Sequence, residues 1–200
     1  MNKRNKQFIF DLETTGLDPK KNGIIQIAGI IKIDNKVMHR FDIRCNVFPN
    51  QVLDPRALQI NRVTPEQIAT YKDPQVAFKA LIAVLSQYVD RYNSRDKFTV
   101  MGYNCAFDTS FMREFFINNK DKYYGSWFNS YDVIDVHKLF TGLRGTGLYP
   151  ELEALPNMKL ETLAKYYNID ITAHDALSDI HATEELFKIF TLQLGTNDDV

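Results

Sequence analysis

Between residues 7 and 47 the chain lays down three strand-like segments before it offers any helical stripe, and that order constrains the fold more than any other feature of the sequence. Residues 7–12 form an apolar run that ends in acid, and residues 24–33 (IIQIAGIIKI) form a longer one. Val37, Phe41, Ile43, Cys45 and Val47 then recur on one parity, the pattern of a strand with one face buried. The connections NGI and IDNKV are short and carry Asn or Gly, so they predict antiparallel hairpins. One more strand follows at 97–104 (KFTVMGYN), set between helical stretches. A three-strand meander followed by β-α alternation predicts an α/β fold, a mixed sheet with helices on its faces.

Helix signals in the rest of the chain are explicit. Residues NQVLDPR read as a loop, after which Thr64-Pro65-Glu66-Gln67 combines a cap residue, a first-turn proline and a Gln three residues on. Asp73-Pro74 repeats the cap-and-proline signal before a long helix with Phe78, Leu81, Ile82, Leu85 and Val89 on one stripe. A helix carrying Phe111, Met112, Phe115 and Phe116 follows the 97–104 strand. Asn157 is the expected cap of a helix that lines up Leu160, Leu163, Ala164 and Tyr167. The last helix starts near Asp175 and stops at Gly195. No repeat, low-complexity tract or linker interrupts this series, so 1–200 is expected to be one domain with its core at about 7–190.

A domain of 200 residues holds its core without staples, so Cys45 and Cys105 are expected as buried thiols rather than a disulfide or metal pair. Hydrophobic residues at 44% exclude a disordered chain. No apolar run approaches the ~20 residues of a membrane span. The basic start MNKRNKQFIF runs into DLE rather than a signal-peptide core, so a cytoplasmic protein with no membrane partner is expected. A net charge of −1 argues against a general electrostatic binder of nucleic acid. Bound divalent cations would supply locally the positive charge that the side chains lack.

The acidic residues fall in a pattern. Asp11 and Glu13 lie two apart at the end of a strand, so their carboxylates share a face. Asp108 opens a helix just past the 97–104 strand, and Asp179 lies one turn into the last helix, five residues after His174. Each taken singly has an ordinary explanation: a loop cap at Asp11, an N-cap at Asp108, an ion pair at Asp179. Four carboxylates on the edges of one sheet repel one another and call for a cation. Hard oxygen ligands of this kind select Mg²⁺ or Mn²⁺.

At these residues the chain resembles a known family. FDLETTGLD (10–18) is similar to the first motif of the DEDD superfamily of 3′–5′ exonucleases, Asp-x-Glu followed by Thr-Gly. YNCAFDTSFM (103–112) resembles the second, Asn-x-x-Phe-Asp with a Phe three residues later. HDALSD (174–179) matches the third, His-x-Ala-x-x-Asp, which marks the DEDDh (DnaQ-like) branch. LDPRALQINRVTPEQI resembles the segment that in this family runs beside the substrate, and MKLETLAKYYNID the helix before the third motif. The resemblance spans roughly residues 7 to 190 and is closest to the proofreading subunits of bacterial replicative polymerases and related stand-alone exonucleases.

The resemblance implies a ribonuclease H-like mixed five-stranded sheet and two Mg²⁺ or Mn²⁺ ions straddling the scissile phosphate. Carried over, Asp11 bridges both ions, Glu13 and Asp179 complete the nucleophile-side site, and Asp108 holds the second ion. His174 takes the proton from the attacking water, a task suited to an imidazole with a pKa near neutrality. The implied partner is single-stranded nucleic acid with a free 3′ end, DNA or RNA, shortened to 5′-nucleoside monophosphates. Thr14 and Thr15 then meet the terminal nucleotide and its 3′-OH, Leu17 and Ile60 flank the last base, and Phe107 offers a stacking surface. One departure matters: many relatives have His-Gly where this chain has Asn61-Arg62. It weakens the carry-over of a base contact to Asn61 and offers Arg62 to a phosphate instead.

Other readings stay open at this level: a phosphodiesterase for short or cyclic oligonucleotides, and a proofreading or binding module for a polymerase partner. The complete Asp/Glu/Asp/His/Asp set argues against a module that only binds, and a homodimer stays open as well. GLRGTGL (142–148) lacks the ending of a phosphate loop and reads as a mobile loop. Asp132 and Asp135 read as neighbours on a short helix, with Asp135 structural or supporting the site. His39, His137 and His181 have no ligand partners at informative spacing, and the basic stretches at 91–97 and 113–122 read as solvated faces.

Overall fold

The structure is a computed structural model that describes residues 5–172 and 175–195, with all their side chains except those of 130 and 193–195. Its sheet has five strands, β1 (Lys6–Thr14), β2 (Ile24–Ile33), β3 (Lys36–Arg44), β4 (Phe98–Gly102) and β5 (Phe128–Asp135), in the order β3-β2-β1-β4-β5. The meander pairs antiparallel, β4 adds to β1 in parallel and β5 to β4 in parallel, which is the mixed sheet expected. Between β3 and β4 come α1 (Pro55–Ile60), α2 (Pro65–Ala69) and α3 (Pro74–Leu85). Helices α4 (Cys105–Asn118) and α5 (Tyr124–Trp127) join β4 to β5. The chain then runs through α6 (Val136–Gly145), α7 (Pro150–Glu153), α8 (Leu160–Tyr166) and α9 (Ala176–Gly195).

The pleat of β1 sorts the molecule into two cores. Phe8, Phe10 and Leu12 face Phe78 and Leu81 of α3 and Phe111 and Phe115 of α4. Ile9 faces the opposite side, with Phe140 of α6, Leu163 of α8, and Ile180 and Leu186 of α9. Asp11 and Glu13 therefore share the α9 face, at the end of β1 where its apolar residues stop. A buried ion pair, Lys32 Nζ to Glu184 Oε1 at 2.7 Å, ties α9 to β2. Removing one partner of such a pair strands the other charge in the interior and typically costs about 3–5 kcal/mol. Among the described residues, no helix is long and apolar enough to cross a membrane.

The cap signals translate directly. Thr64 and Gln67 form a reciprocal capping box on α2, and Asp73 accepts the Gln75 N–H at the start of α3. Elsewhere tertiary structure differs from the sequence reading. The loop expected at NQVLDPR ends in α1, capped by Asp54. Residues 15–23, not a three-residue turn, connect β1 to β2. Val37 leaves the core-facing parity because the β2–β3 register slips by one residue at Ile31/Lys32, exposing its side chain. Asp132 and Asp135 lie on β5, not on a helix, and residues 142–145 continue α6 rather than a loop. Lys159, not Asn157, is the N-cap of α8, although Asn157 Oδ1 accepts hydrogen bonds from Lys159 N–H and the Thr162 hydroxyl. Arg91, in the first basic stretch, is not simply solvated: it lies against the rings of Tyr123 and Trp127 and pairs with Asp121 at 3.6 Å. Cys45 and Cys105 are buried free thiols, as expected.

Candidate active site

The end of β1 meets the first turn of α9. Ligand-type oxygens of Asp11, Glu13 and Asp179 all lie within 4.8 Å of one another. Asp108 arrives from the other face of the sheet, where its Oδ1 accepts the Leu12 backbone N–H at 3.2 Å. The turn from β4 into α4 makes this approach possible. Asn104 takes the left-handed conformation (φ 61°) that asparagine tolerates, and its N–H donates to Asp135 Oδ1 at 3.0 Å. The same oxygen accepts the Lys138 N–H at the start of α6, so Asp135 positions the turn that delivers Asp108. Asp108 is thus not the N-cap of α4, which is Asn104.

Crowding has an electrostatic consequence. Asp11 is held well above the usual carboxylate range, first by its removal from water and then by Asp108, Asp179, Glu13 and Asp175. It keeps some solvent contact on the cavity side, but most of its surroundings are protein. Burial, with Asp179 and Asp175 adding to it, raises Glu13 to about 7, while Arg44 pulls in the opposite direction. Burial raises Asp108 to about 8 against the backbone N–H groups that favour its ionised form, with Glu13 and Asp135 adding to the rise. These groups must hold protons or a cation. Their hard, all-carboxylate donor set fits a divalent cation.

The carboxylates form one wall of a cavity of about 280 Å³. Leu17, Ile60 and Phe107 line the same cavity, and Leu17 is 83% exposed, so apolar side chains and carboxylates share one space. Phe107 also packs against Phe111, ring centres 4.9 Å apart and planes tilted by 48°, so its ring is held in place. Thr14 lines the cavity too, its hydroxyl donating to the Gly16 carbonyl at 2.8 Å. A Cβ at Gly16 would lie 2.4 Å from the Asn22 side chain, which explains the glycine of the first motif.

Thr15 is placed differently from the sequence reading. Fully buried, it donates to the Val52 carbonyl at 2.7 Å and accepts the Gly23 N–H at 2.9 Å, so its side chain holds the loop rather than lining the cavity. His174 lies outside the described residues. The structure adds Asn61, Tyr103 and Asn104 to the cavity wall. Tyr103 and Asn104 stand inside the second motif, where that signal was available. Asn61 had only its departure from the family pattern to mark it. Its Nδ2 donates to the Thr14 carbonyl at 2.9 Å.

A model of the RNase_T family, described as exonuclease, matches residues 8–187 and takes in all three motifs. The chain belongs to the RNase_T exonuclease family. Among curated relatives, exodeoxyribonuclease I of Escherichia coli (strain K12) is 30% identical over 199 residues, covering 94% of this chain and 40% of that protein. DNA polymerase III PolC-type of Bacillus cereus is 26% identical over 176 residues, covering 88% of this chain and 10% of that protein. The chain thus spans about two fifths of the exodeoxyribonuclease I relatives. Among solved structures, exonuclease I superposes with a TM-score of 0.74 at 26% identity, covering 94% of this chain and 41% of that one. E. coli exonuclease I in complex with a dT13 oligonucleotide gives 0.71 at 24% identity, again covering 94% of this chain and 41% of that one. The ribonuclease H-like sheet is therefore the fold of this family member.

Proposed function

We propose that this chain hydrolyses the 3′-terminal phosphodiester of single-stranded nucleic acid, with two Mg²⁺ or Mn²⁺ ions at the carboxylate cluster, and releases 5′-nucleoside monophosphates. One observation carries this reading: Asp11, Glu13, Asp108 and Asp179 line the same small cavity as the apolar side chains of Leu17, Ile60 and Phe107. The carboxylates suit a phosphate held through cations, and the apolar side chains suit a base. Asp11, Glu13 and Asp179 would hold one ion, and Asp11 with Asp108 the other. When bound, such ions supply charge stabilisation for the phosphoryl transition state and lower the pKa of water.

The chain's own residues do the rest. Leu17 and Ile60 flank the terminal base, and Phe107 gives it a ring face. Thr14 presents its backbone to the terminal sugar. Asp135, through Asn104, keeps Asp108 aimed at the scissile phosphate. His174 accepts the proton of the attacking water on its imidazole, the side chain best suited to exchange protons near neutral pH. DNA is the first substrate to try, because the relative named exodeoxyribonuclease I covers nearly the whole chain. The PolC-type relatives favour a second reading, in which the same hydrolysis proofreads for a polymerase partner.

Polarity tests the proposal. A 5′-labelled single strand is expected to shorten in single-nucleotide steps from its 3′ end. The same strand ending in an inverted 3′–3′ nucleotide is expected to resist by more than about a hundredfold, because losing terminal positioning costs that much in comparable sites. Equal cutting of a closed single-stranded circle would overturn the assignment.

A further inference from the structure

A second cavity, of about 200 Å³, shares Glu13 and Asn61 with the first and is lined by none of Leu17, Ile60 and Phe107. Sheet register builds its floor. Glu13 pairs with Gln26, and Gln26 with Arg44, so the three lie in one row across β1, β2 and β3. At about 4.8 Å per strand, Arg44 stands roughly 10 Å from Glu13 between Cα atoms. Its guanidinium is braced rather than free to wander. It donates to the Tyr71 hydroxyl at 3.3 Å, lies 5.8 Å from that ring's centre, and stands 3.9 Å from Asp42.

Arg62 faces the same cavity from the end of α1. Its backbone is left-handed, with φ at 55°. Glycine takes that conformation freely, whereas an arginine adopts it at a cost. Among the described residues Arg62 has no ion pair. Arg62 thus brings an exposed cation to the same cavity as the braced guanidinium of Arg44. The remaining acidic lining is Glu13, which belongs to the carboxylate cluster, and Asp175. The space admits a tetrahedral anion with a few waters, each claiming about 30 Å³.

We infer that the cavity between Arg44 and Arg62 receives a non-scissile phosphate of the nucleic-acid strand. The inference rests on the exonuclease reading above and extends it to a second phosphate subsite. Two phosphates share this chemistry: a neighbouring phosphodiester of the strand, and a phosphate esterified to its 3′ end. Planar guanidinium groups recognise either one through paired N–H donors.

The test combines a variant with a charge deleted from the strand. Arg62→Gly removes the side chain and suits the local backbone, so the variant is expected to fold. Arg44→Gln provides a second variant at the other wall. Short oligothymidylates carry a neutral methylphosphonate at one non-scissile linkage at a time, and a parallel set ends in a 3′-phosphate. Each is measured by kcat/KM and, in chelator where no strand is cut, by fluorescence anisotropy. Arg62→Gly is expected to lower kcat/KM on the all-phosphate strand about tenfold, chiefly through KM. If the phosphodiester occupies the cavity, one methylphosphonate position costs the wild type about the same factor and costs the variant nothing more. If the 3′-phosphate does, the wild type favours phosphorylated ends by a similar factor and the variant loses that preference. Losses that simply multiply at every position, with no response to a 3′-phosphate, would overturn the inference. A wild type that binds strands with this charge dependence but cuts none would instead count against the exonuclease reading alone.

Discussion

Asp11→Asn is expected to reduce strand hydrolysis to background while leaving the protein folded. Asp11 is the carboxylate that Asp108, Glu13, Asp179 and Asp175 all act upon, so it stands at the centre of the cluster. A cation shared with Glu13 and Asp179 and one shared with Asp108 would both lose a ligand. Asp108→Asn removes a ligand from one side only, and its amide oxygen can still accept the Leu12 N–H, so its loss is expected to be smaller. The amide is nearly isosteric with the carboxylate, and removing one charge from a crowded group relieves repulsion. The melting temperature of Asp11→Asn without metal at pH 8 should therefore equal or exceed that of the wild type. Retained hydrolysis in Asp11→Asn would contradict the site assignment. Lost hydrolysis accompanied by a collapsed melting temperature would reduce Asp11 to a structural role.

His174→Ala is expected to lower kcat by roughly 10²–10⁴, the range for removal of a general base. Binding of metal and strand should change little, because His174 is assigned no ligand role. Wild-type activity should rise with pH through the titration of the imidazole and then level off. In the variant that inflection should disappear, and higher pH should restore part of the rate because hydroxide replaces the missing base. Rate against pH for both proteins, with melting temperature measured alongside, separates catalysis from packing. A variant with full turnover and reduced stability would remove His174 from the mechanism.

The meander was legible because each of its three strands carries enough apolar surface to require burial, and short connections leave few ways to achieve it. The caps of α2 and α3 were legible because Thr64 and Asp73 act on their own next turn. What sequence could not supply was long-range. The slip that exposes Val37 depends on how β3 lies against β2. The strand role of Asp132 and Asp135 depends on β5 adding to β4 in parallel. Within the site, residue types and spacing singled out Asp11, Glu13, Asp108 and Asp179, and the structure places them around one cavity. Thr15 was misplaced because two adjacent threonines at a strand end look alike until Val52 and Gly23 arrive from elsewhere to bond one of them. Arg44 escaped notice for the same reason. Its place in the row with Glu13 exists only once β1, β2 and β3 are paired.

The central claim is that these carboxylates are too crowded to stand ionised without a cation, and the melting temperature of the metal-free protein against pH tests it most directly. Glu13 is raised from 4.5 to about 7 and Asp108 from 3.8 to about 8. Between about pH 4 and pH 8 the folded chain therefore holds protons that the unfolded chain releases, so stability must fall as pH rises through that window. The shift at Glu13 alone corresponds to about 3 kcal/mol, or roughly 6–12 °C for a domain of this size. In chelator the melting temperature should drop by at least that amount between pH 5 and pH 8, and excess Mn²⁺ or Mg²⁺ at pH 8 should restore it. A melting temperature that stays level across this range and ignores divalent cations would contradict the account.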